Sequence, residues 1–459
     1  MLNPRIDINR TAGSQFSSSL RQVTLNSVRE VLPDHAIDQA CRDAGYTYRQ
    51  RVLTPIVTVL HMVLAAIWPE ESFAASWQLL WDGAVGVFPA LQGNSPSSGS
   101  VAKARTRLPM ALWDHLWAFM AAKGAGLSEP WASWRGHRVV LVDGTCLSMP
   151  DEPDLHAHFG TSTGRGGKRH YPLARLVTLA LANTMTVISH AFGRYDRSEN
   201  ALLRPLLKNL RKGDLLVGDR RFAGSNLYAE YQAATLEFLT RVHQRLKVSR
   251  LRPIIPYADN DFVADLAVLP VHRRKDPTLP RRVRVRLVQV VLRVRGRREV
   301  TWLVTSLLDA SQYPASEIAD LYVRRWRIET LFRQLKVRLS ADVLRSKTTE
   351  GVCKELTARL IAINVVRAIM LDAAATHGLD PMTLSFAHAV RAILAFAPIL
   401  ATSPSWKLTT IYEAMLCEIA AHRVPPRPGR NEPRAIRREM KHYPRLTTTR
   451  AQWRARHVA

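Results

Sequence analysis

Three acidic residues stand where they could hold metal ions together. Asp143 follows the apolar run of "VVLVDGT", Asp219 follows "LLVG" in "LLVGDRRF", and Glu329 lies in "YVRRWRIETLFRQLK", Tyr322 to Lys336. Apolar strands deliver side chains at their ends to a common sheet edge. Hard divalent ions take oxygen ligands, and a pair of Mg²⁺ (or Mn²⁺) ions held by few carboxylates keeps positions open for phosphate oxygens and water. One ion then activates an attacking hydroxyl while the other stabilises the leaving oxygen, in line across the phosphorus. Alone, each aspartate is equally a turn former, Asp143 before Gly144 above all.

On a helix of about 100° per residue, Tyr322, Arg325, Glu329 and Lys336 fall within about 60° of one face. Leu321, Ile328, Leu331, Phe332, Leu335 and Leu339 form the apolar stripe beside them. Two readings stay open. One is an amphipathic surface helix in which Arg325 and Glu329 make an i,i+4 ion pair. The other is a carboxylate bracketed by cations and a phenol, facing metal ions and phosphates.

Charge favours a polyanionic partner. Lys and Arg number 65 against 38 Asp and Glu, a net charge of +27 over 459 residues, which sets aside an ordinary metabolic enzyme. DNA is the first candidate, because a duplex carries one charge per about 1.7 Å of axis. An anionic membrane surface is the second. The longest apolar run, Ile56 to Trp68, is too short to span a bilayer and contains His61. With Thr54 as N-cap and Pro55 at the first helical position it reads as a buried helix. Cys41, Cys146, Cys353 and Cys417 form no C-x-x-C pair, which argues against a zinc site or a disulfide framework. With no basic-then-apolar leader at the N-terminus, the expected location is the cytoplasm.

The elements that must position the acids follow from periodicity. Residues 1–135 read as a helical domain with a basic face. From 136 to 244 and again from 311 to 345, short β-rich runs give three strands in succession and then alternating helix and strand, an α/β core with a mixed sheet. A β-rich segment, 245–310, interrupts it. There Arg282, Arg284 and Arg286 alternate with Val283, Val285 and Leu287, so one face of a strand is cationic, turned either to solvent or to phosphate. Apolar helices fill 346–422, and a Pro- and Arg-rich tail, 423–459, reads as a basic arm.

The helix resembles the Tyr-x2-Arg-x3-Glu-x6-Lys signature of bacterial insertion-sequence DDE transposases of the insertion sequence four family, filled by Tyr322, Arg325, Glu329 and Lys336. "LVDGT" and "LLVGDRRF" resemble the regions that carry the family's two catalytic aspartates. "AGYTYRQRVLTPIVTVL" and "VAKARTRL" are similar to its N-terminal domain, and "LRSKTTEGVCKELTARLIAINVVRAIM" to its post-catalytic helices. The resemblance implies a ribonuclease H-like core with a β-rich insertion and cut-and-paste transposition at terminal inverted repeats. It implies metal ligation by Asp143, Asp219 and Glu329, two ions per site, and phosphate contacts from Tyr322, Arg325 and Lys336. Arg333 joins these cations as an expected DNA contact. Synapsis of two ends implies a homodimer on terminal-repeat and target DNA, in a bacterial, nucleoid-associated setting without a membrane. Trp302 in "TWLVTSLLD" takes the place of a Trp that stacks on a flipped base, a contact worth about 1 to 3 kcal/mol; a core Trp in a strand is the other reading.

Two signals are weaker. "TSTGRGGKRHYP" lacks the spacing of a phosphate loop, although Arg165, Lys168 and Arg169 could form a basic loop beside DNA. His156 and His158 in "LHAHF" lie in a turn-rich segment with no paired Tyr helix. A non-catalytic DNA-binding relative and a ribonuclease H-type nuclease without end specificity remain the alternatives.

Overall fold

The computed structural model describes residues 31–49, 52–68, 72–87, 95–163, 169–294, 297–424, 452 and 455–456. Lys168 and most of the basic tail, both expected to meet DNA, lie outside them.

The apolar runs form the expected mixed sheet. A short β1 (Ser133–Trp134) folds back on β2 (His137–Ser148), whose Val139–Val142 run is buried on both faces, as a central strand requires. After α-helical and edge segments that include β3 (Thr161–Thr163), β4 (Arg169–Leu181) pairs antiparallel with β2, and β5 (Val187–Arg194) antiparallel with β4. β6 (Leu215–Gly218) and β7 (Glu237–Arg241) then lie parallel on the other side of β2. Three antiparallel strands followed by two parallel ones is the ribonuclease H-like arrangement.

The segment between 245 and 310 prolongs this sheet. It supplies β8 (Ile255–Ala258), β9 (Asp261–Ala267), β10 (Arg282–Val294) and β11 (Arg297–Thr305), and β11 pairs antiparallel with β7 through Leu303↔Arg241. The path runs β3-β4-β2-β6-β7-β11-β10-β9-β8, with β5 on β4.

Helices cover both faces. Before the sheet come α1 (Asp34–Asp43), α2 (Pro55–Ile67), α3 (Phe73–Val87), α4 (Ser98–Arg107) and α5 (Met110–Ala132). Thr54 caps α2 by accepting the Val57 N–H, Pro55 opens it, and every residue of it is buried. Within the chain lie α6 (Pro153–Phe159), α7 (Glu199–Leu203), α8 (Ser225–Ala233), α9 (Pro270–Lys275), α10 (Ala315–Val323) and α11 (Arg327–Arg333). The long α12 (Thr349–Thr376), α13 (Phe386–Thr402) and α14 (Leu408–Ala421) follow. The helices before the sheet have no core of their own. Ile37, Leu60 and Leu116 join Leu141, Leu215 and Ile363 in one apolar cluster with α12 at its centre. A second cluster, with Val142, Phe222, Tyr228 and Val285, covers the other sheet face.

Asn364 shows how α12 is registered on the sheet. Deep in the helix, it donates to the Val187 carbonyl at 2.8 Å and accepts the Val187 N–H at 3.0 Å, completing the backbone pairing of an edge strand. No helix among the described residues is long and apolar enough to cross a membrane.

Candidate active site

The parallel register of β2 and β6 ends at Leu141↔Val217. Two residues further on in the chain are Asp143, still within β2, and Asp219, the first residue beyond β6, close enough for its charge to act on Asp143. Asp143 lies within its strand, since β2 continues to Ser148 on β4; the expectation of a strand end holds only against β6. Asp219 caps the turn that follows β6, accepting the Arg221 N–H at 2.8 Å. Glycines beside each aspartate are required by close approach. A Cβ at Gly144 would lie 2.8 Å from the Glu199 side chain, and one at Gly218 would lie 2.9 Å from Val142.

Glu329 comes from α11, which packs against β2, and its side chain is 59% exposed. Arg325 links it to the sheet. Its guanidinium lies 3.8 Å from Asp143 Oδ2 and 3.6 Å from Glu329 Oε1. Arg325 is itself 8% exposed, stacks 5.2 Å from the Trp326 ring, and keeps a buried Nε without a hydrogen bond.

The signature helix is not one regular helix. Residues Arg324–Trp326 are 3₁₀ and Gln334–Arg338 form a π-turn, closed by Leu339 N–H donating to Gln334 O at 3.0 Å. Uneven winding corrects the shared exposed face expected for the four residues. Tyr322 is 2% exposed beneath Arg325, and its hydroxyl is pushed up to about 12, mainly by burial. Lys336 sits in the π-turn, 3.9 Å from Asp342. Arg333 is exposed. Arg327 donates to the Ala182 carbonyl at 2.9 Å, and Arg324 and Arg327 both donate to Asn183 Oδ1, fixing the helix to the β4–β5 turn.

A fourth carboxylate escaped the sequence reading. Glu199, at the first position of α7, is buried, and its Oε2 has no hydrogen-bond partner. Oε1 lies 3.1 Å from the Arg221 guanidinium, while Asn200 donates to the Arg221 carbonyl at 2.9 Å. An acid in the first turn of a helix is routine capping chemistry, so nothing in the sequence marked it. Burial pushes Asp143 up to about 6, with Asp219 and Glu199 adding to the rise and the Gly144 N–H and Arg325 offsetting it. Carboxylates crowded around a half-buried Asp143 make an oxygen-only donor set with surplus negative charge, which fits hard divalent cations.

The expected cationic face of β10 needs correction. Arg286 is 0% exposed, paired with Asp261 and donating to the Tyr313 carbonyl at 2.7 Å, so it cannot reach a phosphate. Alternation broke because β9 and the Asp309–Tyr313 segment cover that end of the strand. Arg284 is exposed and pairs with Asp265 at 2.9 Å; Arg282 is exposed. Trp302 is half-buried on β11, edge to face with Phe262, and lines a cavity of about 480 Å³ with Pro256 and Tyr257. Arg169 opens β4. His156, expected in a turn, lies in α6, 2.6 Å from Asp151.

The family described as "Transposase DDE domain" matches residues 134–365. The chain is 27% identical over 320 residues to the transposase InsG for insertion sequence element IS4 of Escherichia coli K12, covering 69% of this chain and 71% of that one. It is 39% identical over 70 residues to the Escherichia coli transposase for insertion sequence element IS421, covering 15% and 17%. The piggyBac transposase, solved as a synaptic complex with hairpin DNA, aligns over 90% of this chain and 86% of its own with a TM-score of 0.41 and 11% identity. The family match extends from β1 into α12 and takes in Asp143, Asp219 and Glu329; its members are DNA-binding enzymes that depend on divalent metal. The chain belongs to the DDE transposases of the insertion sequence four family, and is a DNA transposase.

Proposed function

We propose that this transposase moves its insertion sequence by cut-and-paste, cleaving at terminal inverted repeats and joining the freed 3′-hydroxyl to target DNA. The observation that carries the reading is the reach of one guanidinium, Arg325, to Asp143 and Glu329 at 3.8 and 3.6 Å. It gathers acids from a strand and a helix beside Asp219, the residue that follows β6.

Asp143, Asp219 and Glu329 hold two Mg²⁺ or Mn²⁺ ions. When bound, such ions lower the pKa of an attacking water or hydroxyl and neutralise charge at the leaving oxygen. The chain's own groups do the rest. Arg325, its guanidinium kept in place by Tyr322 and Trp326, contacts a DNA phosphate beside the carboxylates. Arg333 and Lys336, two to three turns further along, meet the backbone beyond it, and Arg282, Arg284, Lys168 and Arg169 add further phosphate contacts. Trp302 offers its indole to an unpaired base at the mouth of its cavity. Residues 1–135 and the tail 423–459 bind DNA outside the catalytic core. The protein acts as a homodimer on paired ends, in the bacterial cytoplasm at the nucleoid.

Cleavage of a duplex carrying the element's own end tests this. Asp143→Asn, Asp219→Asn and Glu329→Gln are each expected to abolish Mg²⁺-dependent nicking while DNA binding persists. Full activity in all three overturns the assignment, and equal cutting of random duplex would mark a nuclease without end specificity.

A further inference from the structure

Deep in α12, Arg367 departs from the rule that a buried charge has a charged partner. It is 4% exposed, and among the described residues it pairs with no carboxylate. Its guanidinium lies 4.9 Å over the Phe386 ring, Nη1 is 3.9 Å from the Met370 sulfur, and Nε has no hydrogen-bond partner. Burial alone pushes its pKa down to about 10. A long apolar side chain would suit such surroundings at least as well, so packing does not explain the arginine.

One firm contact does. Nη2 donates to Gln334 Oε1 at 2.6 Å. Gln334 opens the π-turn, its carbonyl accepts the Leu339 N–H that closes the turn, and Lys336 lies inside it. A π-turn takes one more residue into its ring than an α-turn, so it re-aims the side chains it carries, and such turns are rare outside functional sites. Ser340, just past the turn, has φ 48°, in the left-handed region that residues with a Cβ seldom enter. Beyond it, Ser148 of β2 donates its N–H to the Asp342 carbonyl at 3.0 Å and accepts the Leu344 N–H at 2.8 Å. The uncommon winding is thus held at two points, by Arg367 from the core and by the strand that carries Asp143.

We propose that Arg367 is a positioning residue for strand cleavage: it pins the π-turn through Gln334 and so fixes the direction in which Lys336 meets the DNA backbone. The assignment rests on the reading of Lys336 as a phosphate contact. A buried hydrogen bond of fixed geometry selects one winding of the turn, where apolar packing alone would accept several.

The test is a double-mutant cycle in the full chain, read by single-turnover cleavage of the element's own end. Arg367→Met is expected to cleave about tenfold more slowly, the order that follows from slightly misaiming a contacting group. Combined with Lys336→Ala it should add no loss to that of Lys336→Ala alone, because a residue that acts through Lys336 then has nothing left to position. Gln334→Met removes the acceptor from a half-buried side chain and should show the same loss and the same non-additivity, which keeps the test open if Arg367→Met does not fold. Parental cleavage in Arg367→Met or Gln334→Met would mark a merely structural arginine and overturn the proposal. Losses that multiply in the double variants would overturn it while leaving Lys336 as a phosphate contact; a Lys336→Ala protein as fast as its parent would remove both.

Discussion

The side chain of Glu199 packs against the backbone of Gly144, so near that a Cβ there would stand 2.8 Å from it. Through this contact and its pairing with Arg221, α7 braces the strand carrying Asp143 and the turn that follows Asp219 together. Gly144→Ala is therefore expected to displace Asp143 and lower the strand-cleavage rate by about 10²-fold, as small misplacements in a catalytic constellation do. Glu199→Gln, which keeps the shape, is expected to cost less. The check is single-turnover cleavage with DNA affinity measured alongside; a Gly144→Ala protein as fast as its parent would refute the bracing role.

Asp143 gives a stability effect with a definite sign. Its folded value, pushed to about 6 chiefly by burial, exceeds the ordinary value near 3.9. The folded state thus binds more protons than the unfolded one between these values, and stability falls as pH rises from about 4 to about 6. At about 1.4 kcal/mol per unit the cost is about 3 kcal/mol, and it persists at higher pH. In chelator, Asp143→Asn is expected to melt higher than the parent at about pH 7.5 and to show no gain at about pH 4. Calorimetry of both proteins at both pH values checks it, and an Asp143→Asn protein that melts no higher than its parent at the higher pH contradicts it.

Arg325→Lys preserves charge but removes the fork that spans Asp143 and Glu329. Cleavage is expected to fall by about 10²-fold, the usual effect of losing one aimed charge-stabilising donor. Filter binding of end DNA should change little, and a variant that cleaves normally counts against the bridging role.

Asn364→Leu leaves the N–H and the carbonyl of Val187 buried without partners. Each such group costs about 1 to 3 kcal/mol, so urea unfolding should show a loss of that order, with the dependence on denaturant unchanged. A loss below about 0.5 kcal/mol would mean that water reaches the strand edge.

What could be read from the chain beforehand was whatever local chemistry decides. Thr54 and Pro55 announced the start of α2, and continuous apolar runs before Asp143 and Asp219 announced buried strands. What resisted reading depends on distant neighbours. Arg286 looks like one of three exposed arginines until β9 brings Asp261 beside it. The even wheel of the signature helix fails because Arg324 and Arg327 are fixed to the β4–β5 turn and a π-turn follows. Glu199 had no local mark, as its importance lies in what it touches across the sheet.

The shared core beneath the sheet has an evolutionary consequence. Because Ile37, Leu60 and Leu116 complete the apolar layer that also contains Leu141 and Ile363, a crossover near residue 133 would leave both fragments with raw hydrophobic surface. Exchange of the helices before the sheet is tolerated only where the apolar positions facing them on the sheet and on α12 change to match.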